Sequence, residues 1–552
     1  MNIAEAFVAT LRSRGVDTVF GLPGSTEAPL LEAIRADGAI RYVLALHEGA
    51  AVAMADGYAR ATGRPGLVGL HTTVGTMNGM SQLYNAARDG SAVVLAAGHK
   101  DRAVLAEDGF CAVPDLAALL RPFTKSAWQS LAAEAVPADL ARAIDRAQAP
   151  PSGPTFLAVP EDLMRADGAV GWTPAALPGV QRSAPAGAAA AAVIVEVVAR
   201  LRRAARPVVV VGTQAAHASP ALQMLARALC LPVVAAELTD LGQLTYPADD
   251  PFALGIYGEE PAVLLGCDLV LAVGCRMFFP FSERLRPRLP EAAEVIHVHP
   301  DPAVIGRNLP TAIGIPGDCR AVLEQLVAAA GPAGGLDDGT RAARSERART
   351  WHRSRDAARA GEREAAPAGP PMAVARAAAA LGRVWPRGTI VVEEGVRASR
   401  LLFRHGRVPE GGAVWRSSGG ALGWGVPAAV GAKLGRPDRT VAAVVGDGSL
   451  HFSVQALWTA VSQPAPMVVV VLDNGGYLAV KRAVENWLGL AIDPRPHPGT
   501  EIRGIDHAAV AAGYGAGATV ATTPDELAEA VASGLRSERV QLVVAPVAEI
   551  RP

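Results

Sequence analysis

Two short polar motifs follow apolar runs in the last third of the chain. Residues 441–445 lead into Gly446-Asp447-Gly448-Ser449, and residues 467–472 lead into Asp473-Asn474-Gly475-Gly476-Tyr477. Both runs have the β-branched character of strands buried on both faces. A helix-like run from Gln455 follows the first motif, so backbone N–H groups there face any bound anion. Asp447 and Asn474 stand 27 positions apart and bring a carboxylate and a carboxamide to neighbouring strand ends. Oxygen donors of this kind suit Mg²⁺, which keeps coordination sites for water and phosphate. Asn-Gly is also a strong hairpin signal, and Asp-Gly can be a plain turn. The two motifs together, each after a buried strand, favour a ligand site.

A third carboxylate has unusual flanks. Glu48 lies in Leu46-His47-Glu48-Gly49-Ala50, between the apolar run 43–46 and the helical pattern that continues through Met54 to Arg60. Most isolated glutamates are surface residues. One at an apolar junction disfavours the charged form, and a protonated carboxyl can donate to a heterocyclic nitrogen.

The elements that must position these residues alternate β-branched runs with helical patterns. Such runs recur at 207–212, 269–274 and 295–299 as well as in the last third, which predicts parallel sheets. Two stretches read as linkers: 166–189, rich in Pro, Gly and Ala, and 331–371, with a charged middle expected to form a solvated helix. The division is three consecutive doubly wound parallel-sheet α/β domains, at residues 1–165, 188–330 and 370–552. A faint internal echo links the outer two. Gly63-Arg64-Pro65 and Gly435-Arg436-Pro437 each close a helical stretch, and each precedes a strand and a turn.

Composition narrows the function classes. Lys plus Arg total 52 against 53 Asp plus Glu, so no cationic excess is available for nucleic acid or an anionic membrane. The five cysteines are far apart and form no CxxC pair, which argues against a zinc site or disulfide frame and for a reducing compartment. The N-terminal stretch has helical spacing without a signal-peptide apolar run, and no apolar stretch is long enough to span a bilayer. A cytoplasmic location is expected.

The paired motifs resemble the thiamine diphosphate signature, a GDG followed some 25–30 residues later by an Asn pair. The resemblance implies that Mg²⁺ is held by Asp447, Asn474 and the Gly476 carbonyl, bridging the diphosphate. Gly448, Ser449 and Tyr477 complete the diphosphate side. Glu48 falls where the family has the glutamate that contacts the aminopyrimidine and switches on the thiazolium C2 ylide. In Gly419-Gly420-Ala421-Leu422-Gly423-Trp424, Leu422 falls at the apolar shelf beneath the two rings, and the Gly420 carbonyl would accept from the 4′-amino group.

Within the 2-oxoacid decarboxylase and acetolactate synthase superfamily, the chain is similar to the benzoylformate decarboxylase family over nearly its whole length. Gly21-Leu22-Pro23-Gly24-Ser25 matches that family's loop with the active-site Ser, and Leu70-His71-Thr72-Thr73-Val74-Gly75 its segment with the active-site His. Ser25 would then bind a substrate carboxylate and His71 would move protons. The implied activity is decarboxylation of a 2-oxoacid through the ylide and an enamine, in a homodimer or homotetramer. The alternative is an acetolactate-synthase-like carboligase.

The sequence departs from these patterns at several places. Asp473 replaces the first Asn of the pair, Phe278 stands where the decarboxylase has a second catalytic His, and Cys111 follows Phe110 where synthase-like members have Gln. Ala479 and Ala483 suggest a roomy pocket. FAD in the central domain is compatible with the superfamily but is not predicted. A nucleotide-dependent dehydrogenase is disfavoured because Val211-Gly212-Thr213 offers a single Gly. A silent binding protein is disfavoured by the joint presence of Glu48, Asp447 and Asn474.

Overall fold

The computed structural model describes residues 1–107, 109–167, 187–244, 246–257, 264, 266–277, 289–489 and 497–548. Most of the first linker lies outside them, as does Phe278. Three sheets form along the chain.

The first contains β1 (Thr18–Gly21), β2 (Arg41–Leu44), β3 (Gly66–His71), β4 (Val93–His99), β5 (Ser126–Gln129) and β6 (Thr155–Pro160). Their order is β2-β1-β3-β4-β6-β5, all parallel. The central sheet contains β7 (Pro207–Val211), β8 (Val233–Ala235), β10 (Ala253–Ile256), β11 (Leu269–Val273), β12 (Glu294–His299) and β13 (Ile313–Pro316), in the order β10-β8-β7-β11-β12-β13. Between β8 and β10 the chain leaves this sheet: β9 (Gln243–Leu244) pairs antiparallel with the third sheet. That sheet comprises β14 (Ile390–Glu394), β15 (Ala413–Trp415), β16 (Val441–Gly446), β17 (Val468–Asp473), β18 (Gly517–Val520) and β19 (Gln541–Pro546), ordered β18-β19-β17-β16-β14-β15-β9.

Apart from β9, the first and third sheets have the same topology. Strand order reverses between β1 and β3 in one and between β14 and β16 in the other, and ligands gather at such switch points. The echo at Gly63 and Gly435 has a structural counterpart. The helices it closes, Glu48–Thr62 and Gly425–Gly435, precede β3 and β16 and pack on each other. They approach so closely that a Cβ on Gly57 would strike the Ala428 carbonyl, and one on Gly431 the Met54 carbonyl. One hydrophobic cluster therefore runs through both outer domains, from Phe20 and Val68 to Val445 and Val471.

The charged middle of the second linker is the helix Asp338–Ala365, and it is not simply solvated. Arg344 is buried and donates to the carbonyls of Leu229 and Leu201 at 2.9 and 2.8 Å, joining two helix C-termini whose last carbonyls lack intrahelical partners. Arg355, also buried, donates to Ala253. The five cysteines are free thiols, four of them buried. No helix among the described residues is long and apolar enough to cross a membrane.

Candidate active site

At the switch point of the first sheet, the loop after β1 meets the end of β3. His71 ends β3 and precedes the helix Thr72–Asp89. Its Nδ1 lies 2.9 Å from Thr26 Oγ1 and 3.1 Å from Glu27 Oε2. Glu27 is itself held by the Gly24 N–H at 2.8 Å and by the Thr26 hydroxyl at 2.5 Å. Gly24 packs so tightly on the imidazole that a side chain there would collide with the ring. Thr72 adopts φ +46°, a strained setting for a β-branched residue, where the chain turns from His71 into its helix. Ser25 is exposed beside this cluster. Thr26 and Glu27 escaped the sequence reading, because nothing in a Gly-Ser-Thr-Glu run says which strand end it will face.

Glu48 is the first residue of its helix and is 7% exposed. Asn78 Nδ2 donates to its Oε2 at 3.1 Å, and Gly75 closes over it from the same neighbouring helix. His47 caps the helix by accepting from the Gly49 N–H at 3.0 Å.

At the equivalent switch point of the third sheet, Asp447 opens a short helix directly after β16 and is buried together with Gly448 and Ser449. Asn474 follows β17, and its Gly475 turns the chain at φ +70° towards the helix Leu478–Leu488, so this is no β-hairpin. The Gly476 N–H donates to Asp447 Oδ2 at 3.0 Å and to Asn474 Oδ1 at 3.1 Å, which ties the two motifs together. The Tyr477 ring lies against Gly448. Burial, with the Asp473 carboxyl beside it, pushes the Asp447 carboxyl up to about 6. Asp473 is held low by His507, 3.7 Å away, and His507 contacts His451 at 3.1 Å.

Two adjacent carboxyls, Asp447 buried and Asp473 partly exposed, call for positive charge, so the donor set fits a divalent ion. Among the described residues no cluster of three or more His, Cys, Asp or Glu side chains is arranged to hold a metal. An ion here would draw on the Asn474 carboxamide and the Gly476 carbonyl as well as Asp447.

The loop between β15 and the helix Gly425–Gly435 presents Gly420 and Leu422. Gly420 is exposed, has φ +83°, and would have nothing near a Cβ; its backbone conformation, rather than crowding, selects glycine. Leu422 is half-buried. Glu394, at the end of β14, accepts from the Trp424 and Gly425 N–H groups at 3.1 and 2.9 Å, and burial pushes its carboxyl up to about 7. Within one chain, these contacts place Glu48 in one cluster and Asp447 with Asn474 in another.

Family models for thiamine pyrophosphate enzymes match three stretches: the N-terminal TPP binding domain at residues 1–119, the central domain at 194–326 and the C-terminal TPP binding domain at 399–545. The chain belongs to the thiamine pyrophosphate enzyme family. It is 33% identical to benzoylformate decarboxylase of Pseudomonas aeruginosa, with all of both chains covered. It is 30% identical to the acetolactate synthase large subunit of Haemophilus influenzae, over 95% of this chain and 90% of that one. The solved thiamine diphosphate-dependent 4-hydroxybenzoylformate decarboxylase of Rhodococcus jostii RHA1 superposes with a TM-score of 0.86 at 30% identity, covering 100% of each chain.

For a thiamine pyrophosphate enzyme, the departures at Cys111, Ala479 and Ala483 now have places. Cys111 sits half-buried at φ +61°, next to a Phe110 that is 85% exposed. Ala479 and Ala483 lie on the helix after Tyr477, Ala483 on its exposed side. Apolar side chains are exposed on the segments that carry both clusters: Leu46, Val74 and Met77 on those of Glu48 and its helix partner, and Phe452 and Val480 on those that follow Asp447 and Asn474.

Proposed function

We propose that the protein decarboxylates a benzoylformate-like 2-oxoacid with thiamine diphosphate and Mg²⁺. The observation that carries this reading is the anchored imidazole of His71, pinned through Nδ1 by Thr26 and Glu27 beside the open Ser25 hydroxyl. With Nδ1 donating to the carboxylate, Nε2 is the basic nitrogen, free to take and return a proton at the reacting carbon. Ser25 binds the substrate carboxylate.

Thiamine diphosphate supplies the electron sink for the bond to CO₂. Asp447, Asn474 and the Gly476 carbonyl would hold Mg²⁺, while Gly448 and Ser449 would offer N–H and hydroxyl donors to the diphosphate at a helix start. Tyr477 packs over that turn. Glu48 would meet the aminopyrimidine from its buried site, the Gly420 carbonyl would accept from the amino group, and Leu422 would provide the apolar surface for the rings.

Glu48 and the Asp447–Asn474 pair lie in separate clusters, each carried on segments that expose apolar side chains. A second copy of the chain, supplying Glu48 to the partner's diphosphate side, buries both and completes the site, so the working unit is at least a homodimer. The three domains divide at 1–165, 188–330 and 370–552, and the enzyme works in the cytoplasm.

A panel of aromatic and aliphatic 2-oxoacids, with thiamine diphosphate and Mg²⁺ added, tests the reading through CO₂ release and product carbon count. Aldehyde one carbon shorter than the acid supports it; no CO₂ from any member refutes it. Phe278 favours a second reading, since it cannot supply the second proton-moving group that the decarboxylase pattern has. Product formed only when an acceptor aldehyde is present, and always by C–C coupling, would make the enzyme a carboligase.

A further inference from the structure

The helix Thr72–Asp89 carries one stripe of residues that serves two places at once. Gly75, Asn78, Gln82, Asn85 and Asp89 fall on one face at helical spacing. The first two enclose Glu48. The last three grip the loop that bears Gly420 and Leu422. Gln82 Nε2 donates to the Leu422 carbonyl at 2.8 Å. Asn85 pairs with the Ala421 peptide in both directions, donating to its carbonyl at 2.8 Å and accepting from its N–H at 3.1 Å. Asn85 also donates to Gln82 Oε1 at 2.7 Å, and Asp89 accepts from the Ser418 hydroxyl at 2.5 Å. Asn85 is 0% and Gln82 4% exposed. Gly419 lies so close to the Asn85 amide that no side chain would fit between them.

These amides are satisfied by backbone groups over 330 positions away in sequence, which makes them specific rather than decorative. The distance along the helix from Asn78 to Asn85 is about 10 Å at 1.5 Å per residue.

We propose that Gln82 and Asn85 are positioning residues: they hold the Ala421–Leu422 backbone as a preformed shelf for the pyrimidine half of the cofactor. This rests on the proposed thiamine diphosphate site. The shelf then exists before the cofactor arrives, so no ordering of that loop opposes binding.

The test compares two ligands on Gln82→Ala and Asn85→Ala in the full-length protein by calorimetry: thiamine diphosphate with Mg²⁺, and inorganic diphosphate with Mg²⁺. Each variant should weaken thiamine diphosphate about tenfold, the factor that ~1.4 kcal/mol represents, and leave inorganic diphosphate unchanged, because only the first ligand reaches the shelf. If Asn85→Ala does not fold, Gln82→Ala, which loses fewer bonds, decides alone. Unchanged thiamine diphosphate affinity, or equal loss of both ligands as general loosening would give, overturns the proposal. A wild-type protein that binds inorganic diphosphate but not thiamine diphosphate overturns the functional reading, and this proposal with it.

Discussion

Replacing Glu27 by Gln probes whether His71 works through its anchor. The carboxylate accepts from Gly24 N–H at 2.8 Å and Thr26 hydroxyl at 2.5 Å, and sits 3.1 Å from His71 Nδ1. With all three groups turned towards it as donors, Nδ1 carries the proton and Nε2 faces the reaction. Glutamine keeps the shape but offers one acceptor oxygen and a competing NH₂. The hydrogen bond lost is charge-assisted, worth roughly 1.5–3 kcal/mol. If the proton transfer at His71 is expressed in turnover, that corresponds to a fall in kcat of about 10- to 150-fold. The assay is CO₂ release from benzoylformate with saturating thiamine diphosphate and Mg²⁺, beside a calorimetric Kd for the cofactor. The expected result is a lower kcat with unchanged cofactor affinity. A kcat within twofold of wild type, or equal loss of cofactor binding, refutes the anchoring role.

Other predictions follow from the same geometry. Glu48→Gln should retain thiamine diphosphate binding but lose most hydrogen–deuterium exchange at the bound cofactor's C2; unchanged exchange contradicts the role given to Glu48. Glu394 is pushed up to about 7 from an ordinary 4.5, so the folded state keeps a proton that the unfolded chain releases above about pH 4.5. Its stabilisation is fully present below that pH and lost as pH rises through 7, an effect on the order of 3 kcal/mol. Denaturant melts at pH 5 and pH 8 should show this slope flattened in Glu394→Gln; an unaltered slope counts against it. Arg60 joins Asp56 and Asp89, each at 2.7 Å, under the Trp424 ring. Arg60→Met leaves two carboxylates buried without their cation and should cost about 3–5 kcal/mol of stability; a melt within 1 °C of wild type would contradict that pairing.

How much of this was legible in the sequence depends on the range over which each feature is specified. The strands before Asp447 and Asn474 announce themselves through continuous β-branched runs, and the structure moves their ends by a residue at most. Glu48 is legible through the family resemblance, to which its apolar flanks, a local signal, add support. The echo between Gly63 and Gly435 was faint in sequence, yet it marks two sheets of matching strand order, since helix stops and turns are short-range signals of a shared topology. Glu27, Gln82 and Asn85 were not found. Their partners lie on other strands or in another domain, and a polar residue on a helix face looks the same whether it meets water or a backbone 336 positions away. A hint existed: Asn78, Gln82, Asn85 and Asp89 place four polar side chains on a single helix face. The linker helix is a mostly solvated helix, as its interleaved charges predict, but two of its arginines are not legible as buried, for a related reason. Arg344 and Arg355 look like solvated charges until their carbonyl partners are known.

The most direct test of the central claim strips the purified protein with a chelator and restores its components one at a time with benzoylformate present. CO₂ and benzaldehyde should form in equal amounts only when both Mg²⁺ and thiamine diphosphate are returned, and Asp447→Ala should not respond to their return. Turnover without thiamine diphosphate, or full recovery in the Asp447 variant, would contradict the assignment.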